Sequence, residues 1–520
     1  MSLYDDASLI AYPSGYKESK IYSLKPTDGT GDLTFARASS ATRVNAEGLI
    51  ETASVLGSEK ITNGDFATNS DWTLGGSTTI SGGKLNLNFG GGNGAYQVVN
   101  FTSGSTSKVV VTCSAYTSGS IGLRVGSTSN SGLINGVGIY TFYIPESAYT
   151  YVNFFSSVGF IGSIDNVSVK EVITSNIPRI DYSNGCGSLL LEPQRTNFMT
   201  YSEDFSNAAW EKGAGGTASA PIVSANQGIS PDGTNNAFKV ELNLNGGSTS
   251  SDRSRLTDNF TGVTSTDYTF SFYAKAYSSS DVGKVVKFAV DNSSGDALFT
   301  LTSEWKRFVF VGLSSNTNIN QHIQLRGNEN TSDSVAMLLY GYQAEQGSYE
   351  TSLINTSGTT VTRVTDESST TGLSSVIGQT EGVLYAKIAS FTNTSPISSV
   401  INISDGSASN QIAIWYGTNL NEFKILIRQS GNKLFHTTTL TDATQFIKVA
   451  VLYKSGGSKV YINGSLITSS TTTFTFTNPL SIVDFVGIGL GNADFNGKLQ
   501  ELQIFPSALD DATLATLTTL

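Results

Sequence analysis

The sequence predicts an all-β protein made of serial β-sandwich modules. Charged residues make up only 14% of the 520 residues, whereas 53 are glycine and 10% are aromatic, a composition that fits neither a helical bundle nor a disordered chain. Alternating stretches such as SKVVVTCSAY and DYTFSFYAKAY are separated by Gly, Ser and Asn turns every ~8 to 12 residues, which is typical of sandwiches and barrels. At roughly 150 residues per domain, the length indicates three or four modules.

Charge and apolar patterning narrow the classes of partner. The net charge is −11 and no cluster of Lys and Arg suits phosphate binding, so we expect no nucleic-acid partner. The N-terminal stretch MSLYDDASLIAYPSGYKESK is acidic where a signal peptide is basic, and no stretch approaches the ~20 apolar residues of a membrane span. We therefore expect neither Sec export nor membrane insertion. Cys113 and Cys186 lie too far apart for a disulfide framework and are expected to be thiols.

An internal repeat marks the start of two modules. ITNGDFATNSDW begins at Ile61 and MTYSEDFSNAAW begins at Met199, and each opens a run of alternating strands. We assign the first module to residues 57–172 and the second to residues 192–355. The first closes on IGSIDNVSVKEV and the second on MLLYGYQAE.

This layout resembles carbohydrate-binding-module-like jelly rolls of the galactose-binding type, whose opening and closing segments meet at one edge of the sandwich. The resemblance implies a structural calcium ion in the first copy, with Asp65 and Asp165 as oxygen ligands; alternatively, both cap turns. The second copy has Gln343 in place of the closing Asp. For three tryptophans the alternatives are filling the core and stacking on a ligand: Trp72, Trp210 and Trp305.

Residues 1–56 and 173–191 are interpreted as two parts of one N-terminal β element, into which the first module is inserted. They contain LTFARASSATRVNAEGLIE and IPRIDYSNGCGSLLLEPQRTN. These phrases closely resemble a segment of tailed-bacteriophage virion proteins, in which the two are often nearly adjacent. The resemblance implies a virion structural protein whose N-terminal element attaches it to capsid, collar or tail proteins, or organises a homo-oligomer, commonly a trimer.

The last module follows a Ser/Thr-rich linker at residues 356–376 and covers residues 377–520. KVYINGSLI and FNGKLQELQIFPSALDDATLATL resemble the concanavalin A-like, laminin-G-like fold, in which a final strand leads into a short helix. Ser507 and Asp510 have the spacing of a capping box that would start this helix.

The chemistry-bearing residues do not form a catalytic pattern. A retaining glycosidase of this fold uses an alternating Glu-x-Asp strand that brings two carboxyls together, and residues 377–520 contain none. His322 and His436 have no nucleophile motif nearby in sequence. The sequence therefore predicts a protein that is not an enzyme and, apart from calcium, needs no cofactor.

A shallow glycan-binding face is predicted in the last module. Trp415 and Tyr416 would supply the aromatic surface, and Asn419 or Asn421 the polar contacts; alternatively, they form core and turn. The functional interpretation is a fibre or surface appendage of a virion that binds host cell-surface glycans. The alternatives are a host-encoded or secreted glycan-binding protein and a glycan-degrading phage tail component.

Overall fold

The structure is a computed structural model that describes residues 3–102, 104–125, 128–129, 133–145, 151–156, 158–291, 296–394, 399–490 and 494–520. The chain forms two compact units, one from Ser54–Thr174 and one from Met1–Ala53 together with Ser175–Leu520. The predicted fold class is confirmed: the protein is all-β, with several sandwiches and a concanavalin A-like domain at its C-terminal end. No helix among the described residues has the length and apolarity to cross a membrane.

The elements are numbered in chain order. Up to residue 53 they are α1 (Leu3–Asp6), β1 (Leu9–Ala11), β2 (Tyr16–Lys17), β3 (Lys20–Ile21), β4 (Leu33–Ala36), β5 (Thr42–Val44) and β6 (Ile50–Thr52). The unit of residues 54–174 contains β7 (Val55–Glu59), β8 (Thr73–Leu74), β9 (Thr79–Ile80), β10 (Leu85–Phe89), β11 (Gly92–Val98), β12 (Thr106–Gly119), β13 (Gly122–Val125), β14 (Thr128–Ser129), β15 (Gly138–Pro145), β16 (Tyr151–Ser156) and β17 (Phe160–Ile173).

The rest of the chain continues this numbering. Up to residue 370 the strands are β18 (Ile180–Asp181), β19 (Ser188–Leu191), β20 (Arg195–Asn197), β21 (Glu211–Gly215), β22 (Ser219–Ser224), β23 (Phe238–Asn243), β24 (Arg253–Thr261), β25 (Thr266–Ala276), β26 (Val285–Val290), β27 (Ala297–Thr300), β28 (Lys306–Ser314), β29 (Asn318–Arg326), β30 (Ser334–Gln346), β31 (Val361–Arg363) and β32 (Glu367–Thr370), with a 3₁₀ turn at Ser279–Asp281. The last elements are β33 (Glu381–Ser390), β34 (Ser399–Ser404), β35 (Asn410–Tyr416), β36 (Glu422–Gln429), β37 (Asn432–Thr439), β38 (Ile447–Lys454), β39 (Ser458–Ile462), β40 (Ser465–Ser470), β41 (Ile482–Asp484), β42 (Gly497–Phe505) and α2 (Asp511–Thr518).

The unit of residues 54–174 is a two-sheet sandwich. One sheet has the order β15-β12-β17-β10-β9 with β7 on β17, and the other has the order β14-β13-β16-β11-β8. Alternate residues of each strand point into one core, as Leu85 and Leu87 do on β10 and Val109 and Val111 do on β12. Cys113 is buried in this core, and it forms no disulfide with the exposed Cys186. The predicted module boundaries lie just inside those of this unit.

The opening and closing segments of this unit meet, which explains the Asp-Phe and Trp pattern. The indole Nε1 of Trp72 donates a hydrogen bond to the Asn63 carbonyl (3.1 Å), and its ring lies 5.4 Å from that of Phe66. On the closing strand, the Val167 N–H donates to the Gly64 carbonyl (2.9 Å). The turn is thus attached to the closing strand at one point and to the core at another.

The second module repeats this arrangement. Trp210 Nε1 donates to the Tyr201 carbonyl (2.9 Å), the Phe205 ring lies 5.1 Å away, and the Tyr342 N–H of the closing strand donates to the Ser202 carbonyl (2.8 Å). Trp72 and Trp210 are buried in their cores, whereas Trp305 is half-buried. The repeated sequence therefore encodes the same closure of a sandwich, with the first two tryptophans as core residues.

The second module is a sandwich of two five-stranded sheets. Their orders are β21-β24-β29-β26-β27 and β22-β23-β30-β25-β28. Two polar residues, Ser254 and Asp258, lie on the inner face of β24, and Asp258 lies between the buried Leu256 and Phe260. The core is otherwise dominated by aromatic rings: Phe205, Trp210, Phe238, Phe260, Tyr268, Phe270, Phe272, Phe288, Phe299, Phe308 and Tyr342.

Within residues 1–56 and 173–191, β5 and β6 form a separate two-stranded sheet, whereas β1 to β4, β18 and β19 join the C-terminal sandwich, contrary to the sequence-based expectation of one element. One sheet of the C-terminal sandwich has the order β18-β19-β42-β33-β38-β39-β40, and β1 also pairs with β42. The other has the order β2-β3-β4-β32-β41-β34-β35-β36-β37. These added strands cover the sheet edges at β42 and β32, which would otherwise expose unpaired backbone groups. They also contribute Leu9, Ile21, Leu33 and Phe35 to the common core.

The predicted linker at residues 356–376 is also incorrect over part of its length. Within it, β31 pairs with β20, and β32 lies between β4 and β41. Four of its Ser and Thr residues, Thr362, Ser368, Ser369 and Thr370, lie in these strands because their backbone groups complete a sheet.

The C-terminal helix begins later than the capping-box spacing predicted. Asp510 is the N-cap of α2, and its carboxylate accepts a hydrogen bond from the Thr513 N–H (2.7 Å). Leu514 and Leu517 are buried, and they pack with β38 and β39 residues such as Ala450, Leu452 and Tyr461. The helix therefore starts at the residue that can satisfy its free N–H groups.

Candidate functional site

The predicted aromatic pair of the last module is not presented at the surface. Tyr416 lies in the main core and Trp415 lies on the opposite face of β35, where it packs with Val400, Leu426 and the half-buried Leu490. Because both faces of this central strand are covered, Trp415 is only 6% exposed and Tyr416 only 2%. This corrects the expectation of a stacking surface at these positions.

The two asparagines that were paired with these aromatics stabilise turns. Asn419 Nδ2 donates to Glu422 Oε1 (3.1 Å). Asn421 has a φ of 54°, its Nδ2 donates to the Thr441 carbonyl (3.2 Å), and its Oδ1 accepts from the Ala443 N–H (3.0 Å). A short amide side chain suits such left-handed turns, so the alternative interpretation of core and turn residues describes the observed contacts.

Asp65 and Asp165 do not assemble a recognisable calcium site. Asp65 is exposed, and its Oδ1 accepts from the Ala67 N–H (3.3 Å), as in an Asx turn. Asp165 is half-buried on β17. Calcium takes six to eight oxygen ligands, and among the described residues no group of three or more His, Cys, Asp or Glu side chains could hold a metal ion. This donor set therefore fits calcium poorly.

The two phrases with the most specific sequence signal meet in a buried cluster of charges, which we call the ion network. It joins Arg37 from FARASSATRVN, Arg179 from IPRIDY, Glu192 from LLLEPQRTN, and Arg363 and Asp366 from the segment before β32. The exposed fraction of each side chain is 3% or less. One cluster thus connects the N-terminal strands, the start of the second module and the C-terminal sandwich.

The carboxylates of the ion network each bridge two guanidinium groups. Asp366 contacts Arg37 (3.0 Å) and Arg179, and Glu192 contacts Arg179 (2.6 Å) and Arg363 (2.7 Å). Three guanidinium groups thus face two carboxylates, and backbone carbonyls and the Ser352 hydroxyl accept several further donors, whereas the buried Nε atoms of Arg179 and Arg363 have no hydrogen-bond partner among the described residues. Removing ions from water is costly, so this arrangement depends on nearly complete pairing.

Backbone contacts attach the same side chains to their surroundings. Arg37 donates from Nε to the Ser39 carbonyl (2.8 Å) and from Nη2 to the Ile177 carbonyl (3.1 Å). Arg363 Nη2 donates to the Pro193 carbonyl (2.9 Å). These contacts hold chain segments that are distant in sequence in one register.

The negative charge of Glu192 is strongly stabilised in the ion network. Burial alone would raise its pKa, but Arg363 and Arg179, together with hydrogen bonds from Ser352, hold the pKa well below its ordinary value. Ser352 donates from its backbone N–H (2.7 Å) and from its hydroxyl (2.7 Å). Glu192 is therefore ionised at neutral pH.

A cavity of about 560 Å³ lies next to the ion network, and we call it the junction cavity. Glu192 and Ser352 contribute to its wall, and the half-buried rings of Tyr182, Tyr273 and Phe391 also line it. Aromatic surface combined with a few polar groups is typical of small-molecule and sugar sites.

Charged groups line the junction cavity as well. Lys498 pairs with Asp181 (3.2 Å) and donates to the Ser183 hydroxyl (2.6 Å). Arg307 donates to the Thr351 carbonyl (2.7 Å). Most of these charges already have partners, so the arrangement suits hydrogen bonding to a neutral polar ligand more than proton transfer.

Comparison with known proteins identifies one part of the chain. Residues 384–515 match the family Laminin_G_3, described as the concanavalin A-like lectin/glucanases superfamily. This agrees with the predicted fold of the last module. Among curated proteins, none matches the chain.

Three solved structures similar to this one have low sequence identity. The Ruminococcus gnavus IT-sialidase CBM40 is 16% identical, and the match covers 28% of this chain and 91% of that chain with a TM-score of 0.24. Domain 4 of AbnA, a GH43 extracellular arabinanase from Geobacillus stearothermophilus in complex with arabinotriose, is 19% identical, with 30% of this chain and 73% of that chain covered and a TM-score of 0.24. The N-terminal CBM22-1-CBM22-2 tandem domain of Paenibacillus barcinonensis Xyn10C is 11% identical, with 57% of this chain and 98% of that chain covered and a TM-score of 0.23. We therefore base the functional proposal on this chain's own residues and on the match of residues 384–515.

Sequence reasoning did not identify the ion network or the junction cavity. The available signal was a charged residue within an apolar phrase, as for Glu192 after LLL and Arg179 after IP. A buried charge needs a partner, but the partners Asp366 and Arg363 lie more than 170 residues further along the chain than either.

Proposed function

We propose that this protein is a non-enzymatic structural component of a tailed-phage virion, a fibre or surface appendage whose sandwich modules bind host-surface glycans. The observation that supports a structural role is the ion network. The phrases that resemble virion proteins supply Arg37, Arg179 and Glu192, and these side chains join the second module to the C-terminal sandwich. A buried joint of this kind suits an appendage that must hold its modules in a fixed arrangement.

Glycan binding is supported by the lectin/glucanases superfamily match of residues 384–515 and by the junction cavity. Within this proposal the junction cavity replaces Trp415 and Tyr416 as the candidate neutral-glycan site, because Tyr182, Tyr273 and Phe391 offer half-buried aromatic surface there. A glycan array probed with the full chain tests this, and the Tyr182→Ala variant is expected to lose the signal.

Quantitative mass spectrometry of gradient-purified particles from the source culture tests the virion role. Peptides at a fixed ratio to the major capsid protein are expected, and the copy number would distinguish capsid, collar and tail positions. Absence from particles, with peptides in cells or medium, would reject the virion role and favour a host-encoded or secreted glycan-binding protein. Sedimentation at micromolar concentration tests the proposed homo-oligomer, for which a trimer is expected.

A further inference from the structure

The outer face of one sheet of the second module carries a row of polar side chains. On the sheet β21-β24-β29-β26-β27, the residues directly opposite one another across four strands are Gly213, Arg255, Gln324 and Lys287. In the adjacent row, Gly215 on β21 and Arg326 on β29 flank Arg253. Directly opposite residues share a face, so these side chains form one surface, which we call the arginine face.

Two of the four cations of the arginine face are already paired. Lys287 contacts Asp296 (2.9 Å) and Glu329, and Arg326 lies 3.8 Å from Glu329. Within the described parts of the chain, Arg253 and Arg255 differ in having neither a carboxylate within ion-pair distance nor a hydrogen-bond partner for Nε, although both Nε atoms are buried. These two like charges on one strand therefore have no ion-pair partner, although the Glu211 carboxylate lies on the same face beside Gly213.

The edge strand β21 provides space for these two side chains. A Cβ at Gly213 would lie 3.1 Å from Arg255 Nε, and a Cβ at Gly215 would lie 3.2 Å from Arg253 Nε. The two glycines thus allow both arginine side chains to lie flat against the backbone, half-buried. Residues two apart on a strand are separated by about 7 Å, so two guanidinium groups are held at a defined spacing.

We propose that the arginine face binds a carboxylate-bearing glycan, with Arg253 and Arg255 as the groups that hold sugar carboxylates. A guanidinium group matches a carboxylate in a two-bond fork, and such a ligand would compensate both uncompensated charges. The nearby exposed Asn259 offers an amide for sugar hydroxyls. This inference rests on the proposed glycan-binding function and specifies a class of glycan for it.

The charge distribution favours an acidic glycan over a nucleic acid. The chain has a net charge of −11, and the arginine face is bordered by four acids, Glu211, Asp291, Asp296 and Glu329. These acids repel a densely charged phosphate backbone, which generally requires a broad basic surface. A glycan with isolated carboxylates presents far fewer negative charges to these acids.

Calorimetric titration of the full chain tests the proposal with two pairs of probes. These are trigalacturonate with its methyl ester, and sialyllactose with lactose, so that each acidic probe has a neutral counterpart. We expect at least one acidic probe to bind at least about tenfold more tightly than its counterpart, and added salt to weaken this binding. Equal affinity within both pairs, or binding of neither acidic probe, would overturn the proposal.

Variants assign the binding to these side chains. Arg253→Gln/Arg255→Gln is expected to remove the preference for the acidic probe, and Arg255→Lys to reduce it because the fork is lost while the charge remains. Arg428→Gln, which removes a half-buried arginine from the C-terminal sandwich, is the matched control and is expected to bind like the wild type. Unchanged binding by the double variant would reject the site.

The unfolding temperature of the double variant is expected not to fall, since neither guanidinium group makes an ion pair or a hydrogen bond to any of the described residues. A lower unfolding temperature would show that the arginines serve the fold and would count against the proposal. If neutral glycans bind the chain and acidic glycans bind no more tightly, the proposed glycan-binding function is supported and the arginine face is rejected as its site. If no glycan binds, the glycan-binding function fails as well.

Discussion

Replacing Asp258 by Asn is expected to stabilise the protein at neutral pH and to have little effect in acid. Asp258 is only 5% exposed and lies between Leu256 and Phe260 on the inner face of β24. One carboxylate oxygen accepts from the Asn259 N–H (2.7 Å), and the other is buried and finds no partner among the described residues. Burial raises the pKa of Asp258 from 3.8 to about 6.

The size and sign of the effect follow from this pKa. A group whose pKa is higher in the folded than in the unfolded protein stabilises the fold fully below the unfolded pKa, and this stability is lost as the pH rises through the folded pKa. For Asp258 the loss falls between about pH 4 and pH 6 and amounts to about 3 kcal/mol, at about 1.4 kcal/mol per pH unit. Asp258→Asn has no charge to bury, so it avoids this loss.

Differential scanning calorimetry at about pH 4 and about pH 8 measures the difference. We expect the variant to unfold several degrees higher than the wild type at the upper pH and within about a degree of it at the lower pH, since about 1 kcal/mol shifts the midpoint of a domain of this size by ~2 to 4 °C. Asp267→Asn, a change at an exposed position on the neighbouring β25, is the control and is expected to show no pH-dependent difference. An equal shift for Asp258→Asn at both pH values would refute the reasoning, because the effect would then not come from the charge.

Three further predictions concern the ion network, the module closure and calcium. Glu192→Gln is expected to lower the free energy of unfolding, measured in urea at neutral pH, by about 3–5 kcal/mol, because it leaves buried guanidinium groups without a partner. The control Glu51→Gln, which removes a partly exposed ion pair, should lower it by less than about 1 kcal/mol. Because the pKa of Glu192 is lowered in the fold, its contribution is lost as the pH falls below about 4.5, and a cost that stayed constant through acid would contradict the assignment. Gly64→Ala should lower the unfolding temperature of the first module, because the new Cβ would clash with the Val167 carbonyl oxygen. The control Gly90→Ala should leave the unfolding temperature unchanged, because a Cβ there meets no atom within 4 Å. Equal shifts for the two variants would show that the opening segment is not tightly packed against the closing strand. Calcium and EGTA should give the same unfolding temperature, and stabilisation by calcium would restore Asp65 and Asp165 as ligand candidates.

The module content was predictable because it depends on local patterns. Alternation of apolar residues in SKVVVTCSAY requires a half-buried strand, and the repeated Phe and Trp placed Trp72 and Trp210 at equivalent closures. The concanavalin A-like fold of the last module was likewise recognisable from its final strand and helix. Each of these signals lies within a few tens of residues.

The candidate sites were not predictable in the same way. Alternation indicates that Trp415 and Tyr416 face opposite sides of β35, but whether either side is exposed depends on what packs against it, here Leu490 on one side and the main core on the other. The partner of Arg179 lies at Asp366, and nothing local to either residue indicates the pairing.

The sequence by itself determined the all-β class and the closure of the two repeated sandwiches by their opening segments, because strand alternation, turns and buried tryptophans act over short distances. Only the tertiary structure decided that β1 to β4 complete the C-terminal sandwich, that five charged side chains form one buried network, and that Arg253 and Arg255 lie uncompensated on an outer face. The physical reason is that strand edges and buried charges are satisfied by whichever partners the fold brings near, and those partners are far away in the chain.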